Sequence, residues 1–251
     1  MTAAMFALLL LTPLAIAVVP CALLHHRIGI LVHEYIHGIP FRVYRRNLVV
    51  TAVYDGLLLS FGFVELFRAT HLAHHKWLNS ERDPARQAAA PGGPKSRLLR
   101  AIWSLEAPQH VRFMAQALAG RVPIVRPTLI VLGIGQSLAW LGFWIAIGRG
   151  DVVLGLVVLA AATTVVSSSL RGAVEHHDAP GMAHTTNEYR TVLPLFNMNR
   201  HVHHHVSPTT PWYQLRFQTP APLPRHAFVT HWFRVYVTRR YKMLSPEASG
   251  R

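Results

Sequence analysis

Long apolar runs, separated by polar and basic segments, dominate the pattern of this 251-residue chain. The runs at 5–24, 127–147 and 152–170 can each cross a bilayer as a helix, since about 20 apolar residues span about 30 Å. Only the tetrapeptide GRGD at 148–151 separates the last two runs, which predicts a helical hairpin with a tight turn. We therefore expect an all-α integral membrane protein with about three to four transmembrane helices.

A further apolar run at 48–67 is interpreted as an interfacial helix rather than a crossing. It contains acidic residues and glycines, and a single crossing there would place His37 and His71 on opposite sides of the membrane. Residues 98–119 mix apolar and charged positions at helical spacing, which is typical of a helix lying along a membrane surface. At this length one domain is expected, so we predict a single membrane-embedded domain over residues 1–251.

Composition agrees with a membrane protein. Hydrophobic residues make up 51% of the chain and charged residues only 14%, well below the roughly 25% typical of soluble domains. A formal net charge of +14 raises the possibility of nucleic-acid binding. However, the Lys and Arg residues follow the loops between apolar runs and form no stripe with aromatic residues, so we predict no nucleic-acid partner. The single Cys21 excludes an internal disulfide and any cysteine-rich zinc or iron–sulfur site.

Three short clusters, in the motifs HEYIHG, HLAHHKW and RHVHHH, contain nine histidines, and eight of them stand in patterns that favour metal binding. Positions three and four apart share one face of a helix, and neutral imidazole is the commonest nitrogen ligand for a transition metal. Eight imidazoles exceed what one ion can bind, so two metals are expected. The predicted ligands are His33, His37, His71, His74, His75, His201, His204 and His205.

A ninth ligand is expected from the segment LRGAVEHHDAPG, which follows the last predicted span. His176 is the first candidate, with His177 and His184 as alternatives. Carboxylates often orient metal-bound imidazoles, so Asp83 and Glu175 are candidates for that supporting role.

Three residues near the third cluster are assigned other roles. His203 is expected to face solvent or to support the ligands without binding the metal. Trp212 and Tyr213 are expected to line a substrate tunnel or to anchor the chain at the membrane interface. His25 and His26 are interpreted as ordinary interfacial residues.

Charge bias predicts the orientation in the membrane. Lys and Arg are concentrated in 42–126 and 171–251, whereas the first 26 residues contain none. By the positive-inside rule, all three histidine clusters lie on the cytoplasmic side, as a histidine-box cap on the membrane helices. In a bacterium this would be the inner membrane.

Together the three clusters resemble the histidine boxes of the integral-membrane fatty-acid desaturase and hydroxylase superfamily, which includes acyl desaturases, carotenoid ketolases and hydroxylases, and alkane hydroxylases. HEYIHG is similar to the first box, HLAHHKWLNSERDP to the second, and NMNRHVHHHVSPTTPWYQL to the third with its Pro-Trp-Tyr sequel. The pair Glu175-His176 resembles the isolated extra ligand of that family. The resemblance covers about residues 30–216.

This resemblance implies a non-haem di-iron centre that activates O₂ and oxidises a C–H bond of a lipid in the bilayer. It implies an external electron donor, such as a ferredoxin or rubredoxin with its reductase, and zinc could replace iron in purified protein. His203 stands where the family usually has Glu. Gly172 stands where some desaturases have an Asn that holds a metal-bound water, so Asn197 and Asn199 become candidates for that role. One clear span precedes the first box here, where a helix hairpin is usual.

Acyl-chain desaturation is the favoured reaction, because the third box and its Pro-Trp-Tyr tail look most like that branch. A carotenoid ketolase or hydroxylase and an alkane hydroxylase are the alternatives. A zinc hydrolase using the same boxes is chemically possible. A metal transporter is disfavoured, because transport sites lie within the spans, whereas the runs 127–147 and 152–170 contain no ionisable residue.

Overall fold

A computed structural model describes residues 1–78, 82, 115, 119, 125–164, 189–190, 200–215 and 226–227. Apart from two strands of two residues each, the regular elements of these residues are helices, which confirms the all-α class. The helices are α1 (Thr2–Leu11), α2 (Leu14–Ile36), α3 (Tyr44–Leu57), α4 (Phe63–Trp77), α5 (Pro127–Ala146), α6 (Gly150–Thr164), α7 (His201–Val206) and α8 (Trp212–Leu215). The strands, β1 (Tyr189–Arg190) and β2 (His226–Ala227), pair in parallel.

The first predicted span is divided into two helices, so the expectation of one crossing over 5–24 is wrong in its boundaries. Thr12 and Pro13 are extended between α1 and α2, because proline fixes its own φ and disfavours a helical conformation in the residue before it. Helix α2 then continues for 23 residues to the end of the first histidine box. The two helices pack together, with the Cys21 thiol donating to the Met5 carbonyl at 3.6 Å.

Two of the described helices, α2 and α5, are long and apolar enough to cross a membrane. Helix α6 is apolar but shorter, and the predicted continuation at 165–170 lies outside the described residues, as does most of the predicted helix at 98–119. The run at 48–67 is shared between α3 and α4, neither of which has the length of a span. Its interfacial position stays a prediction.

The apolar core lies where α1, α2 and α6 meet. Met5, Ile28 and Leu159 are fully buried there. On the opposite faces of the same bundle, large apolar side chains such as Val19 and Val157 are exposed. An apolar exterior of this kind suits contact with hydrocarbon chains rather than water.

Helices α3 and α5 approach closely through glycine. A Cβ added at Gly133 would lie 2.7 Å from Asp55 Oδ2, so only a residue without a side chain fits there. Small residues allow helix backbones in membranes to come together in this way. The Ser137 hydroxyl on α5 donates to the Asp55 carbonyl at 3.2 Å and accepts the Phe61 N–H at 3.0 Å. The end of α3 and the following turn are thereby fixed to a candidate span.

A strained turn at 58–62 leads into α4. Leu59 and Phe61 have positive φ values of 52° and 51°, and Gly62, with φ 86°, precedes the helix. The Asp55 carboxylate accepts the backbone N–H of Gly62 at 2.8 Å and that of Val64 at 3.2 Å. These hydrogen bonds determine where α4 begins, and α4 carries the second histidine box.

Candidate metal centre

The first box lies at the end of α2. His33 is in the last turn and His37 is the C-cap residue. Gly38 follows with φ +75°, its N–H donates to the Tyr35 carbonyl at 3.0 Å, and the next N–H, that of Ile39, donates to the Glu34 carbonyl at 3.1 Å. This is a Schellman motif, in which a left-handed glycine ends the helix and satisfies its last carbonyls. The chain therefore turns away directly after His37.

The second box lies on the C-terminal half of α4, where His74 is buried and His71 and His75 are partly buried. One turn earlier, Glu65 and Arg68 form a buried ion pair, with the Arg68 Nε and Nη2 groups donating to the two carboxylate oxygens at 2.6 Å each. Glu65 Oε1 also accepts the backbone N–H of Arg126 at 2.7 Å. Helix α4 is thus fixed against the start of α5, and its histidine face is oriented by that packing.

The third box forms the short helix α7, which has six residues. His201 and His204 are buried, and His205 is partly buried. The Ser207 N–H donates to the His203 carbonyl at 2.9 Å and ends the helix. All three predicted ligands of this box therefore come from a single turn and a half of helix.

Five imidazoles, drawn from all three boxes, form one cluster with ligand nitrogens within 4.8 Å of one another: His33, His37, His71, His75 and His204. The Nε2 atoms of His37 and His75 each lie 3.0 Å from His71 Nε2, and His204 Nε2 lies 3.1 Å from His75 Nε2. Metal–nitrogen bonds of about 2.1 Å that meet near 90° place neighbouring nitrogens about 3.0 Å apart. The donor set and its spacing therefore fit a transition metal.

The other three predicted ligands of the boxes lie beside this cluster. The Nε2 atoms of His201 and His205 are 2.9 Å apart, and the ring centroids of His74 and His205 are 5.0 Å apart. The ring of His205 stacks on that of His75 at 4.2 Å, which joins the two groups. The structure therefore brings all eight box histidines together, as five and three, an arrangement that suits two adjacent metals.

Burial and crowding favour the neutral form of four imidazoles of the five-histidine cluster. Burial lowers the pKa of His37 to about 4 and, together with the neighbouring histidines, that of His75 to about 2. The pKa values of His71 and His204 are also lowered well below the usual value, first by burial and then by the surrounding imidazoles. Because a metal binds the neutral imidazole, these four rings have no proton to lose to a metal at neutral pH.

Several sequence-predicted residues have no described position: Asp83, Glu175, His176, His177, His184, Asn197 and Asn199. Their roles stay predictions. Of the others, His203 is partly buried on α7 and is not among the five clustered histidines. Trp212 is partly buried and Tyr213 is 50% exposed on α8, and neither a tunnel nor an interfacial role is tested by these positions.

Sequence reasoning missed two polar residues close to the boxes. Glu34 and Arg200, each next to a predicted ligand, are buried at 6% and 9% exposure. Glu34 could have been noticed from the sequence, because it is a charged residue at the end of an apolar run. His25 is buried within α2, where its Nδ1 lies 2.7 Å from Thr163 Oγ1 on α6, and its interfacial position stays a prediction.

Apolar helices of spanning length, with an imidazole cluster able to hold a metal at the end of one of them, are typical of histidine-rich membrane metalloproteins. A family model described as fatty acid desaturase matches residues 7–234. The chain therefore belongs to the fatty acid desaturase family, a membrane-bound superfamily of di-iron oxidoreductases. No curated protein and no solved structure matches the chain.

Proposed function

We propose that this protein is a membrane-bound di-iron enzyme that uses O₂ to oxidise an aliphatic C–H bond of a lipid. Acyl-chain desaturation is the favoured reaction. The observation that carries this proposal is the five-histidine cluster, whose nitrogens come from three distant segments and lie at the spacing of metal ligands. Family membership supports iron as the metal and a lipid as the substrate.

The eight box histidines divide between the two proposed metals. His33, His37, His71, His75 and His204 would hold one, and His74, His201 and His205, together with His176, would hold the other. When bound, iron supplies the activation of O₂, using electrons from an external donor. All-imidazole sites also bind zinc, so purified protein can contain zinc without contradicting a function in iron chemistry.

The chain positions these groups and limits the access of water to them. His204 is only 1% exposed and His74 only 3%, and a dry site strengthens electrostatic interactions and suppresses side reactions. The first box ends a helix that can span the membrane, so a bilayer lipid can reach the cluster without leaving the apolar phase. The protein's contribution to catalysis is therefore to hold the metals and to orient one methylene group near them.

Desaturation and its alternatives differ in substrate, not in metal centre. A carotenoid ketolase or hydroxylase and an alkane hydroxylase would use the same histidines, and the geometry of the cluster favours none of the three. The resemblance of HVSPTTPWYQL to the third box of acyl desaturases supports an acyl chain.

Lipid analysis tests the proposal directly. Cells would express the wild-type chain or His71→Ala together with an active ferredoxin or rubredoxin and its reductase, and fatty acids, carotenoids and alkanes would be profiled. We expect a new unsaturated acyl chain with the wild type only. A new carotenoid or alkane product would redirect the substrate, and no change in any of the three lipid classes would contradict the oxidase function itself.

The proposed location is a membrane with the histidine cluster on the cytoplasmic side, where the electron donor is found. Exposed basic residues at the start of α3, Arg45 and Arg46, support this orientation and would attract an acidic donor. Cysteine labelling from outside the cell tests it, with Cys21 replaced by Ala and a single Cys at Arg45 or at Gly150. We expect labelling at 150 only; the reverse result would overturn the orientation.

A further inference from the structure

A buried carboxylate directly follows the first ligand of the first box. Glu34 lies in the last turn of α2 with 6% exposure, in an environment where an unpartnered carboxylate is costly. Its Oε1 accepts the backbone N–H of Trp212 at 2.5 Å, across 178 positions of the chain. The bond therefore joins the end of the first box to the helix that follows the third.

The segment 200–215 also contains internal hydrogen bonds that join its two ends. The buried Arg200, directly before the third box, donates from Nη1 to the carbonyl of Leu215 at 2.7 Å. Between the two ends, the Thr210 hydroxyl donates to the Ser207 hydroxyl at 2.8 Å and the Thr210 N–H donates to the Ser207 carbonyl at 3.0 Å. Helices α7 and α8 are thus linked into one unit by hydrogen bonds at its ends and in its middle.

This unit needs an external contact to hold its position. Its helices have six and four residues, and helices shorter than about 12 residues are marginal by themselves. The histidines of this unit contact the imidazoles of the other two boxes. A metal can bridge such imidazoles, but without a metal they attract one another only weakly. The Glu34–Trp212 hydrogen bond docks the unit on α2 through a group that is not an imidazole.

We infer that Glu34 is a positioning residue, which holds the third histidine box at the metal centre through the backbone of α8. This rests on the proposed metal binding by the cluster and names a residue outside the predicted ligand set. Because the carboxylate is bonded to Trp212, a shift of α8 away from Glu34 would carry His201 and His204 away from the first two boxes.

A competing role for Glu34 comes from its sequence context. His33, Glu34 and His37 fit the motif H-E-x-x-H, in which zinc hydrolases use the glutamate as a general base. A base needs an ionisable carboxylate, whereas a positioning residue needs only an oxygen that accepts a hydrogen bond. Glutamine keeps that oxygen and loses the charge, so Glu34→Gln separates the two roles.

The experiment compares wild type, Glu34→Gln, Glu34→Ala and the control Gln214→Ala, which changes an exposed side chain of α8. Each protein would be expressed with ample iron and purified in detergent, and its metal content and rate of metal loss to a chelator measured. We expect Glu34→Ala to hold metal about 10–100-fold more weakly, as is typical when a residue supporting metal ligands is lost. Glu34→Gln and Gln214→Ala should resemble wild type. Equal retention by Glu34→Ala, or equal loss in Glu34→Gln, would overturn the inference.

A second pair of variants tests the donor of this hydrogen bond, the backbone N–H of Trp212. Proline is compatible with the first position of a helix but has no N–H. Trp212→Pro should therefore lose metal faster than Trp212→Ala, which keeps the N–H and loses the same side chain. Equal metal loss in the two would contradict the role of the hydrogen bond, even if Glu34→Ala failed to fold. A wild type that binds no metal would instead contradict the proposed function.

Discussion

The first two histidine boxes and the third are held in the protein by different means. The first two lie on α2 and α4, helices of 23 and 15 residues. Helix α2 packs against α1, α3 and α6, and α4 packs against α3 and α5. The third lies on a helix of six residues, in a segment that closes on itself through Arg200 and reaches α2 through Glu34. Helix packing places the first two boxes of the histidine cluster, whereas the third lies on a short helix in a segment linked by individual hydrogen bonds.

This difference indicates that segment 200–215 can move away from the first two boxes more easily than α2 and α4 can move apart. Packed helices have few alternatives, whereas a segment with short helices is held by a small number of contacts and by whatever its histidines bind. Metal binding and the docking of 200–215 should therefore depend on each other, while α2 and α4 keep their positions either way.

The largest effect on activity is expected from removing a predicted ligand that contacts both the second and the third histidine box. His75→Ala deletes an imidazole whose Nε2 lies 3.0 Å from that of His71 and 3.1 Å from that of His204. Lipid oxidation should fall to background and the bound metal should decrease. Lys76→Ala, an exposed neighbour on the same helix, is the control and should leave both unchanged. Product formation by His75→Ala at the wild-type rate would exclude this histidine from the centre.

Metal removal should increase the backbone mobility of segment 200–215 more than that of α4. We expect backbone hydrogen exchange after chelation to rise strongly in 200–215 and little in α4, because only the former depends on short helices. Mass spectrometry of peptides from both regions, with metal-loaded protein as the reference, measures this difference. A similar rise in both regions would show that the second box is no more rigid than the third.

A smaller, structural effect is expected from the turn that starts α4. At Gly62, which has φ +86°, an added Cβ would lie 2.8 Å from Ile130 Cγ2. Gly62→Ala should therefore cost about 1–3 kcal/mol of stability through strain and crowding. Gly135→Ala, where an added Cβ meets nothing within 4 Å, is the matched control. Equal thermal unfolding of the two variants in detergent would show that the turn tolerates a side chain.

The smallest effect concerns pH. Burial raises the pKa of Asp55 from 3.8 to about 6. The hydrogen bonds from Gly62 and Val64 lower this pKa, and the nearby charge of Glu65 raises it further. Because the folded pKa is the higher one, this group's contribution to stability is complete below pH 3.8 and is lost as the pH rises through about 6. The unfolding temperature of Asp55→Asn relative to wild type should therefore rise between pH 5 and pH 7, whatever its absolute value. A difference that does not change with pH would contradict this.

The sequence predicted the helical class and the eight clustered histidines because both follow from short-range patterns: apolar runs of bilayer length, and imidazoles at spacings of three and four. It placed the boundaries of the first helices wrongly, because the break at Thr12 and Pro13 falls inside a continuous apolar run. It also missed Glu34 and Arg200. Their partners are backbone groups far along the chain, and no residue pattern indicates such a contact.

The central claim is that three distant segments assemble one metal centre, and the metal content of the purified protein tests it most directly. After expression with ample iron and gentle purification, elemental analysis should give about two metals per wild-type chain, with iron predominant, since eight clustered imidazoles exceed the needs of one ion. His204→Ala, which removes the ligand contributed by the third box to the five-histidine cluster, should hold clearly less. A wild type with well under one metal per chain, or a His204→Ala protein with the wild-type content, would contradict the claim.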